Sequence, residues 1–432
     1  MTAARRIMIF SREYPPVIIG GTSTVARNLA VGLAQSGWDV CVITADPSAG
    51  EDVREDADGV TVLRVGTGTV YNATSGLSRD ILRTHRRLHA AARHLAEEAG
   101  RPDILALPDL FCLPEASLLA RELDVPLINI LLQDFRAITP YDQGPHRVTN
   151  GVASDHPHLM DIERKSLFGS DLTVFISEAL RESITEQYGA GSFRHEVVHL
   201  GVDPEEIAAV QRDRAWLERR RQLLASTPAG ERTPLLVACG RLVPVKGFAQ
   251  LIKALALLGP VEAPAGAAAV FPHLVLVGSG PEHEAIQRLA TELGVAERLT
   301  ILGGQPRAEV LGWMAAADVA VVPSLWESFC YVCAEMMALG RPVVASAVDS
   351  LKELLPDSSC GYPVPVGGLL GQRSLEPADL ARALRAALGD GEHASARGAA
   401  GRARIAEHFT NERFVTRLSA LAAELAREGV RS

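Results

Sequence analysis

The sequence predicts an α/β fold of two Rossmann-like domains in tandem, each a parallel sheet with helices packed around it. Short apolar runs alternate with amphipathic helical stretches along the whole chain. The rhythm stops around Gly201-Val202-Asp203-Pro204 and restarts beyond the charged segment Asp213 to Gln222 and the turn-forming Ala225-Ser226-Thr227-Pro228-Ala229-Gly230. A chain of 432 residues, 47% hydrophobic and 22% charged, is long enough for two separate cores, so a ligand site in a cleft between them is a natural expectation.

In the first half, strands are expected at Ile7 to Phe10, Val40 to Thr44, Val60 to Val65, Ile104 to Leu107, Leu127 to Leu131 and Leu172 to Ile176. Helices are expected between them at Thr22 to Ser36 and Ser78 to Ala99, and after them at Glu178 to Tyr188. The second half repeats the alternation, with strands at Leu235 to Cys239, Leu274 to Val277, Leu299 to Leu302, Val319 to Val322 and Val343 to Ala345. The expected domains are therefore residues 1–203 and 204–410. A last helix, in 411–432, is free by sequence to pack back on the first domain. Val261 to Ala269, rich in Ala, Pro and Gly, is expected to be a surface loop.

Composition narrows the function. Net charge is −9, with no basic footprint for nucleic acid. Only Lys165, Lys246, Lys253 and Lys352 are lysines among 43 basic residues, so a lysine inside a motif carries weight. The apolar run after Arg5-Arg6 is only Ile7-Met8-Ile9-Phe10, too short for a signal-peptide core, and no stretch approaches the roughly 18 apolar residues of a membrane span. Six cysteines in so long a chain make no disulfide framework, and a reducing cytoplasm is expected. The helix bearing Arg83, Arg86, Arg87 and Arg93 beside Leu82, Leu88 and Leu95 is mildly basic; a solvated face over a buried stripe is favoured over a membrane-surface role.

In open α/β sheets, ligands bind beyond the carboxyl ends of the strands. After the first strand, Glu13-Tyr14-Pro15-Pro16-Val17-Ile18-Ile19-Gly20-Gly21 leads into a helix with Thr22 or Ser23 as N-cap. Paired glycines let a ligand approach the backbone and leave helix N–H groups open to an anion; an ordinary loop with a glycine turn is the plainer reading. After Leu235 to Cys239, Gly240-Arg241-Leu242-Val243-Pro244-Val245-Lys246-Gly247 sets an arginine fork and a lysine point charge five residues apart, able to clamp a diphosphate, although two solvated cations would read the same. Gly278-Ser279-Gly280-Pro281-Glu282-His283 resembles half a dinucleotide fingerprint, with His283 in the third glycine position, so an NAD site is disfavoured.

The densest motif runs from Pro323 to Met337. On one continuous helix Glu327 and Glu335 would stand about 12 Å apart along the axis and about 80° around it, too far for an acid–base pair. With Glu327 in the loop and a helix starting near Tyr331, the two carboxylates instead read two separate hydroxyl-bearing groups, and the N–H groups of residues 329 to 331 lie between them. A solvent-facing pair flanking a helix start is the alternative. Cys330-Tyr331-Val332-Cys333 is a CxxC with no further pair of zinc ligands. A redox dithiol is conceivable because a helix N-terminus lowers a thiol pKa, and coincidence is the default. His156-Pro157-His158 is read as a loop pair without a third ligand. In the first domain, Leu127 to Leu131 ends in Gln133-Asp134, where the aspartate either accepts from a substrate hydroxyl or caps a turn.

Assembled in this order, the chain resembles the GT-B-fold retaining glycosyltransferases of family 4. The resemblance spans nearly the whole length: Tyr14-Pro15-Pro16 with Gly20-Gly21, Pro102-Asp103-Ile104, Asp171 to Ser177, His199-Leu200-Gly201-Val202-Asp203, Arg241 with Lys246-Gly247, Gly278 to Pro281, and Glu327 with Glu335 ending in Gly340-Arg341-Pro342-Val343-Val344-Ala345. It implies two Rossmann-like domains facing across a cleft, and a nucleoside-diphosphate sugar, GDP- or UDP-linked, as donor substrate. No separate cofactor and no metal are implied. Arg241 and Lys246 are implied on the diphosphate, Glu335 on the ribose hydroxyls and Gln305 on the nucleobase. Glu327 and the backbone of Phe329, Cys330 and Tyr331 are implied on the transferred sugar, with Gly20, Gly21, Gly240, Gly278 and Val332 also on the donor side. Gln133 and Asp134 are implied on the acceptor, Asp134 joining Arg241, Lys246 and Glu327 in catalysis.

The Glu-Ser-Phe start resembles the branch that makes the mycothiol pseudodisaccharide. Three departures matter: Cys330 stands where the family mostly has glycine, Gln133 where it often has histidine, and Lys165 is the sole first-domain lysine. They point to a small polar acceptor, in secondary-metabolite or small-thiol biosynthesis, rather than a strongly phosphorylated one. The alternatives are a lipid or polysaccharide acceptor, a sugar phosphorylase, or a non-catalytic nucleotide-sugar module. Partners are expected to be small molecules; a homodimer is compatible, and membrane association is not favoured.

Overall fold

The computed structural model describes residues 5–17, 21–67, 77–138, 156–261 and 270–429. The chain divides into two compact units. One is built mainly from residues up to 200 rejoined by the C-terminal segment from Asn411, and the other mainly from Gly201–Thr410.

The first unit contains β1 (Arg6–Phe10), β2 (Asp39–Asp46), β3 (Val53–Ala57), β4 (Val60–Gly66), β5 (Ile104–Leu107), β6 (Leu127–Leu131), β7 (Leu172–Phe175) and β8 (His195–Val197). They form one sheet in the order β3-β4-β2-β1-β5-β6-β7-β8. Every neighbouring pair is parallel except β3 with β4. The inner strands are continuous apolar runs because helices cover both faces, and Ile7, Met8, Ile9 and Phe10 are essentially inaccessible. Strands β3 and β8 escape a reading by apolar runs for one reason: both are sheet edges, with sequences VREDA and HEV that bury little.

The helix Gly21–Gln35 begins at Gly21 itself, ahead of the N-caps expected at Thr22 or Ser23. His156 and His158 belong to the first turn of the helix His156–Gly169, which corrects their expected loop placement. The last helix, Asn411–Glu428, buries Phe414, Val415, Leu418, Leu421, Ala422 and Leu425, one stripe at helical spacing. It lies against Gly21–Gln35, where a Cβ at Gly32 would come within 2.5 Å of Val415 Cγ2, and Trp38 Nε1 donates to Ser419 Oγ at 2.8 Å.

The second unit contains β9 (Leu235–Cys239), β10 (His273–Val277), β11 (Leu299–Ile301), β12 (Val319–Val322), β13 (Val343–Ser346) and β14 (Tyr362–Val364), all parallel, in the order β11-β10-β9-β12-β13-β14. Taken in chain order, this is the 3-2-1-4-5-6 winding of a Rossmann sheet. Its core gathers Leu236, Leu251, Leu255, Leu274, Leu276, Val321, Val344 and Leu384 from strands and covering helices. Because the order reverses between β9 and β12, the carboxyl ends of these two strands mark the crevice at which such sheets bind ligands. That crevice receives the two densest motifs of the sequence. Most of the expected surface loop Val261 to Ala269 lies outside the described residues; Val261 bridges Val270 across it.

Candidate functional site

The loop after β9 carries Gly240 to Gly247, and the loop after β12 carries Pro323 to Cys330. They are pressed together by backbone: Leu325 N–H donates to the Val245 carbonyl at 2.7 Å, and a Cβ at Gly247 would sit 2.0 Å from the Pro323 carbonyl oxygen. Gly247 has φ +67°, so glycine is required there twice over. This closure brings Lys246 Nζ to 2.6 Å from Glu327 Oε1, across 81 residues of sequence. Burial opposes the lysine's charge, but Glu327 overcomes that and holds the ammonium above its ordinary pKa. Lys246 is therefore a fixed cation.

Glu327 is itself braced. Ser324 Oγ donates to its Oε1 at 2.7 Å, its own N–H donates to Asp349 Oδ2, and Ser350 Oγ donates to its carbonyl. Arg373 then grips Asp349 through both guanidinium nitrogens and donates to the Leu325 carbonyl at 2.9 Å. Asp349, Ser350 and Arg373 were not singled out in the sequence; two of them directly follow β13, the next strand at the crevice. Arg241 is solvent-exposed and near enough to Lys246 for their charges to repel. An anion entering this crevice would meet both.

The helix Tyr331–Ala338 begins where expected. Cys330 caps it at φ +73°, ψ +74°, a left-handed conformation that a side chain makes costly. Phe329 is buried edge-on against Tyr331, with ring centroids 5.3 Å apart, and Val332 is half-buried. The first N–H groups of the helix have no intrahelical acceptor and face the crevice end of the sheet. Burial drives the thiols of Cys330 and Cys333 well above their ordinary pKa, so the expected thiolate-lowering effect of the helix start loses to desolvation. The redox dithiol is set aside on that ground; both cysteines are free.

One turn further, Glu335 is 1% exposed. Its Oε1 accepts from Arg307 Nη2 at 2.6 Å, while its Oε2 is buried and has no hydrogen-bond partner among the described residues. Burial raises its carboxyl pKa and Arg307 pulls it back. A buried carboxylate oxygen left open is an acceptor waiting for a donor. Gln305, two residues before Arg307, is half-buried, with its amide donating to the Leu302 carbonyl at 2.8 Å.

The glycines divide by what they do. Gly240 (φ +147°) and Gly278 (φ +150°) are facing backbone contacts: a Cβ at Gly278 would lie 1.8 Å from the Gly240 carbonyl oxygen. The partial dinucleotide fingerprint is thus explained by two loops packing backbone to backbone. Gly21 is exposed with nothing within 4 Å of a Cβ, and Gly20 lies outside the described residues.

In the first unit, Gln133 is half-buried, but Asp134 is fully buried and accepts from Ser183 Oγ. Its carboxylate, expected toward an acceptor, has a protein partner in the Ser183 hydroxyl. Beside it, buried Glu163 accepts from the Phe135 N–H at 2.9 Å and the Tyr188 hydroxyl at 3.1 Å, and burial pushes its carboxyl up to about 7. Buried contacts of this kind leave no mark in local pattern.

Comparison with known proteins identifies the chemistry. A model described as "Glycosyl transferases group 1" matches residues 220–404, and one described as "Glycosyl transferase 4-like domain" matches residues 20–201. D-inositol 3-phosphate glycosyltransferase of Nocardia farcinica is 30% identical over 390 residues, covering 86% of this chain and 77% of that protein. The chain belongs to the group 1 glycosyltransferases. Glycogen synthase of Mycobacterium tuberculosis H37Rv is 27% identical to this glycosyltransferase over 94% of the chain and 91% of its own length. Among solved structures, sucrose-phosphate synthase from Thermosynechococcus elongatus superposes with a TM-score of 0.76 at 22% identity, over 98% of this chain and 100% of that one. Anabaena HepE in complex with UDP-glucose superposes with a TM-score of 0.69 at 18% identity, over 97% and 99%. These neighbours show the GT-B fold for this glycosyltransferase.

Proposed function

We propose that this glycosyltransferase moves a sugar from a nucleoside-diphosphate donor to a small polar acceptor with retention at the anomeric carbon. The observation that carries the reading is the Lys246–Glu327 pair at the strand-order reversal of the second sheet, 2.6 Å apart and braced from behind by Ser324.

As the glycosidic bond breaks, negative charge builds on the departing diphosphate and positive charge on the anomeric carbon. Lys246, held charged, and Arg241, exposed beside it, stabilise the diphosphate where that charge appears. The amides of residues 329 to 331 add oriented dipoles without reorganisation. Glu327, with one oxygen on Lys246, turns the rest of its carboxylate to sugar hydroxyls, and Glu335 Oε2 takes a ribose hydroxyl. Gln305 contacts the base in this reading, as the resemblance implies. With Asp134 closed on Ser183, no first-unit carboxylate named here acts as a base, and the leaving phosphate accepts the acceptor's proton on the same face as it departs.

UDP is the favoured nucleotide, since the HepE structure named above holds UDP-glucose. Six free, buried cysteines suit a reducing compartment such as the cytoplasm. Among the described residues no helix is long and apolar enough to cross a membrane. A glucan acceptor is the second reading, favoured by the 94% of this chain that aligns with glycogen synthase.

A thermal-shift panel of UDP, GDP, ADP and dTDP tests the donor: one base should stabilise the protein well above the others. Stabilisation by none of them would refute the nucleotide site. NMR of the product should show the donor's anomeric configuration, and an inverted product would sink the retaining mechanism. Transfer to maltooligosaccharides in preference to small polyols would replace the first acceptor class by the second.

A further inference from the structure

Arg307 is the first residue of the helix Arg307–Ala316 and was not singled out by sequence. Its guanidinium faces two carboxylates. Nε and Nη2 bind Glu206 Oε1 and Oε2 at 3.0 and 2.9 Å, a bidentate fork, and Nη2 also binds Glu335 Oε1 at 2.6 Å. Glu206, on the helix Pro204–Arg212, is partly exposed, whereas Glu335 is buried.

The arrangement leaves Glu335 in an uncommon state. A carboxylate taken out of water needs a charged partner, and Arg307 supplies it. A guanidinium that met Glu335 with its fork would cover both oxygens, as Arg–carboxylate pairs commonly do. Here the fork is spent on Glu206, so Glu335 receives a single bond and its Oε2 is left buried without a hydrogen-bond partner among the described residues.

We propose that Arg307 is a positioning residue of the nucleotide site. Anchored by Glu206, it holds Glu335 ionised and oriented with one oxygen occupied, so that the other is presented to a ribose hydroxyl. This rests on the reading of Glu335 as the ribose ligand. Glu206 sets how Arg307 approaches: without it, the guanidinium can swing to a two-point grip on Glu335 and shut the open oxygen.

Isothermal calorimetry with UDP and 2′-deoxy-UDP, and with GDP and 2′-deoxy-GDP, on the full chain tests this. The wild-type protein should prefer the ribonucleotide of its own base by about 10-fold, the worth of one charge-assisted hydrogen bond. Glu335→Gln should reduce that preference to about 2-fold. Arg307→Ala should do the same, and as pH falls its nucleotide affinity should drop at a higher pH than in wild type, because the unpartnered carboxyl protonates earlier. In transfer assays Arg307→Ala should raise the donor KM about 10-fold with kcat within about 3-fold, since the ribose is remote from the breaking bond. Glu206→Gln, on the surface, should also lose ribose preference and keeps the test open if Arg307→Ala does not fold.

Full ribose preference in both Arg307→Ala and Glu206→Gln, with its loss in Glu335→Gln, would overturn the positioning role alone. Unchanged affinity and preference in Glu335→Gln would overturn the ribose reading itself, and this inference with it.

Discussion

Both sheets reverse their strand order beside their first strand, to opposite effect. In the first, between β1 and β5, Arg12 pairs with Asp109 at 2.9 Å and lies 3.9 Å over the Phe111 ring. Farther along the same edge, Asp134 is closed on Ser183 and Glu163 on Tyr188. In the second, between β9 and β12, Lys246 is fixed but half-buried, Arg241 is exposed, and Glu335 keeps an open oxygen. Polar groups alone do not mark a ligand site. What distinguishes the second crevice is a braced, half-buried cation beside an exposed one, with a buried carboxylate oxygen that no described residue bonds.

Substitution of the paired groups measures this contrast, and the largest effect belongs to the second unit. Lys246→Ala should lower transfer at least about 100-fold, the cost of removing one preorganised donor at developing charge, well beyond the stability lost by leaving buried Glu327 without its cation. Turnover within a few-fold of wild type would remove the lysine from the mechanism. Asp134→Ala should do the reverse, destabilising the fold by about 1–3 kcal/mol through the orphaned Ser183 hydroxyl, as read by urea unfolding. A loss of activity without loss of stability would restore Asp134 to the acceptor site.

Glu163 gives the first unit a pH signature. Its carboxyl titrates at about 7 when folded, above its ordinary 4.5, so the folded state binds the proton more tightly than the unfolded state. The stability it contributes is therefore complete below pH 4.5 and is lost as pH rises through 7. Glu163→Gln should flatten the melting-temperature profile between pH 5 and 8 and raise its alkaline end. An unchanged slope would show that the carboxyl is not the titrating group.

Two smaller effects concern packing. Gly32→Ala should cost about 1–3 kcal/mol by pushing Val415 away, loosening the C-terminal helix from the first unit, and hydrogen exchange across Asn411–Glu428 would register it. Cys330→Gly should stabilise the second unit by up to about 1 kcal/mol by relieving the left-handed side chain, while removing a buried thiol near Glu327 and Lys246. A widened range of accepted donor sugars would make Cys330 a specificity residue; an unchanged range would leave it as a strained cap.

Much of this was legible in one dimension. Both sheets' inner strands are buried on two faces and read as apolar runs, and Leu127–Leu131, Leu235–Cys239 and Val319–Val322 begin and end where periodicity puts them. The edge strands Val53–Ala57, His195–Val197 and Tyr362–Val364 were not legible, because they are short or polar and carry no apolar run, unlike the edge strand Leu299–Ile301.

At the site, the order of motifs determined the family, and the spacing of Arg241, Lys246, Glu327 and Glu335 determined which residue types could meet a diphosphate and two sets of hydroxyls. Tertiary structure decided the pairings. Lys246 finds Glu327 only because parallel strands β9 and β12 are neighbours, and Arg307 reaches Glu206 and Glu335 from a third helix. It also decided that Asp134, a plausible ligand group by position, is buried against Ser183. Local sequence carries propensity and pattern, while charge pairing and burial depend on which strands the winding makes adjacent.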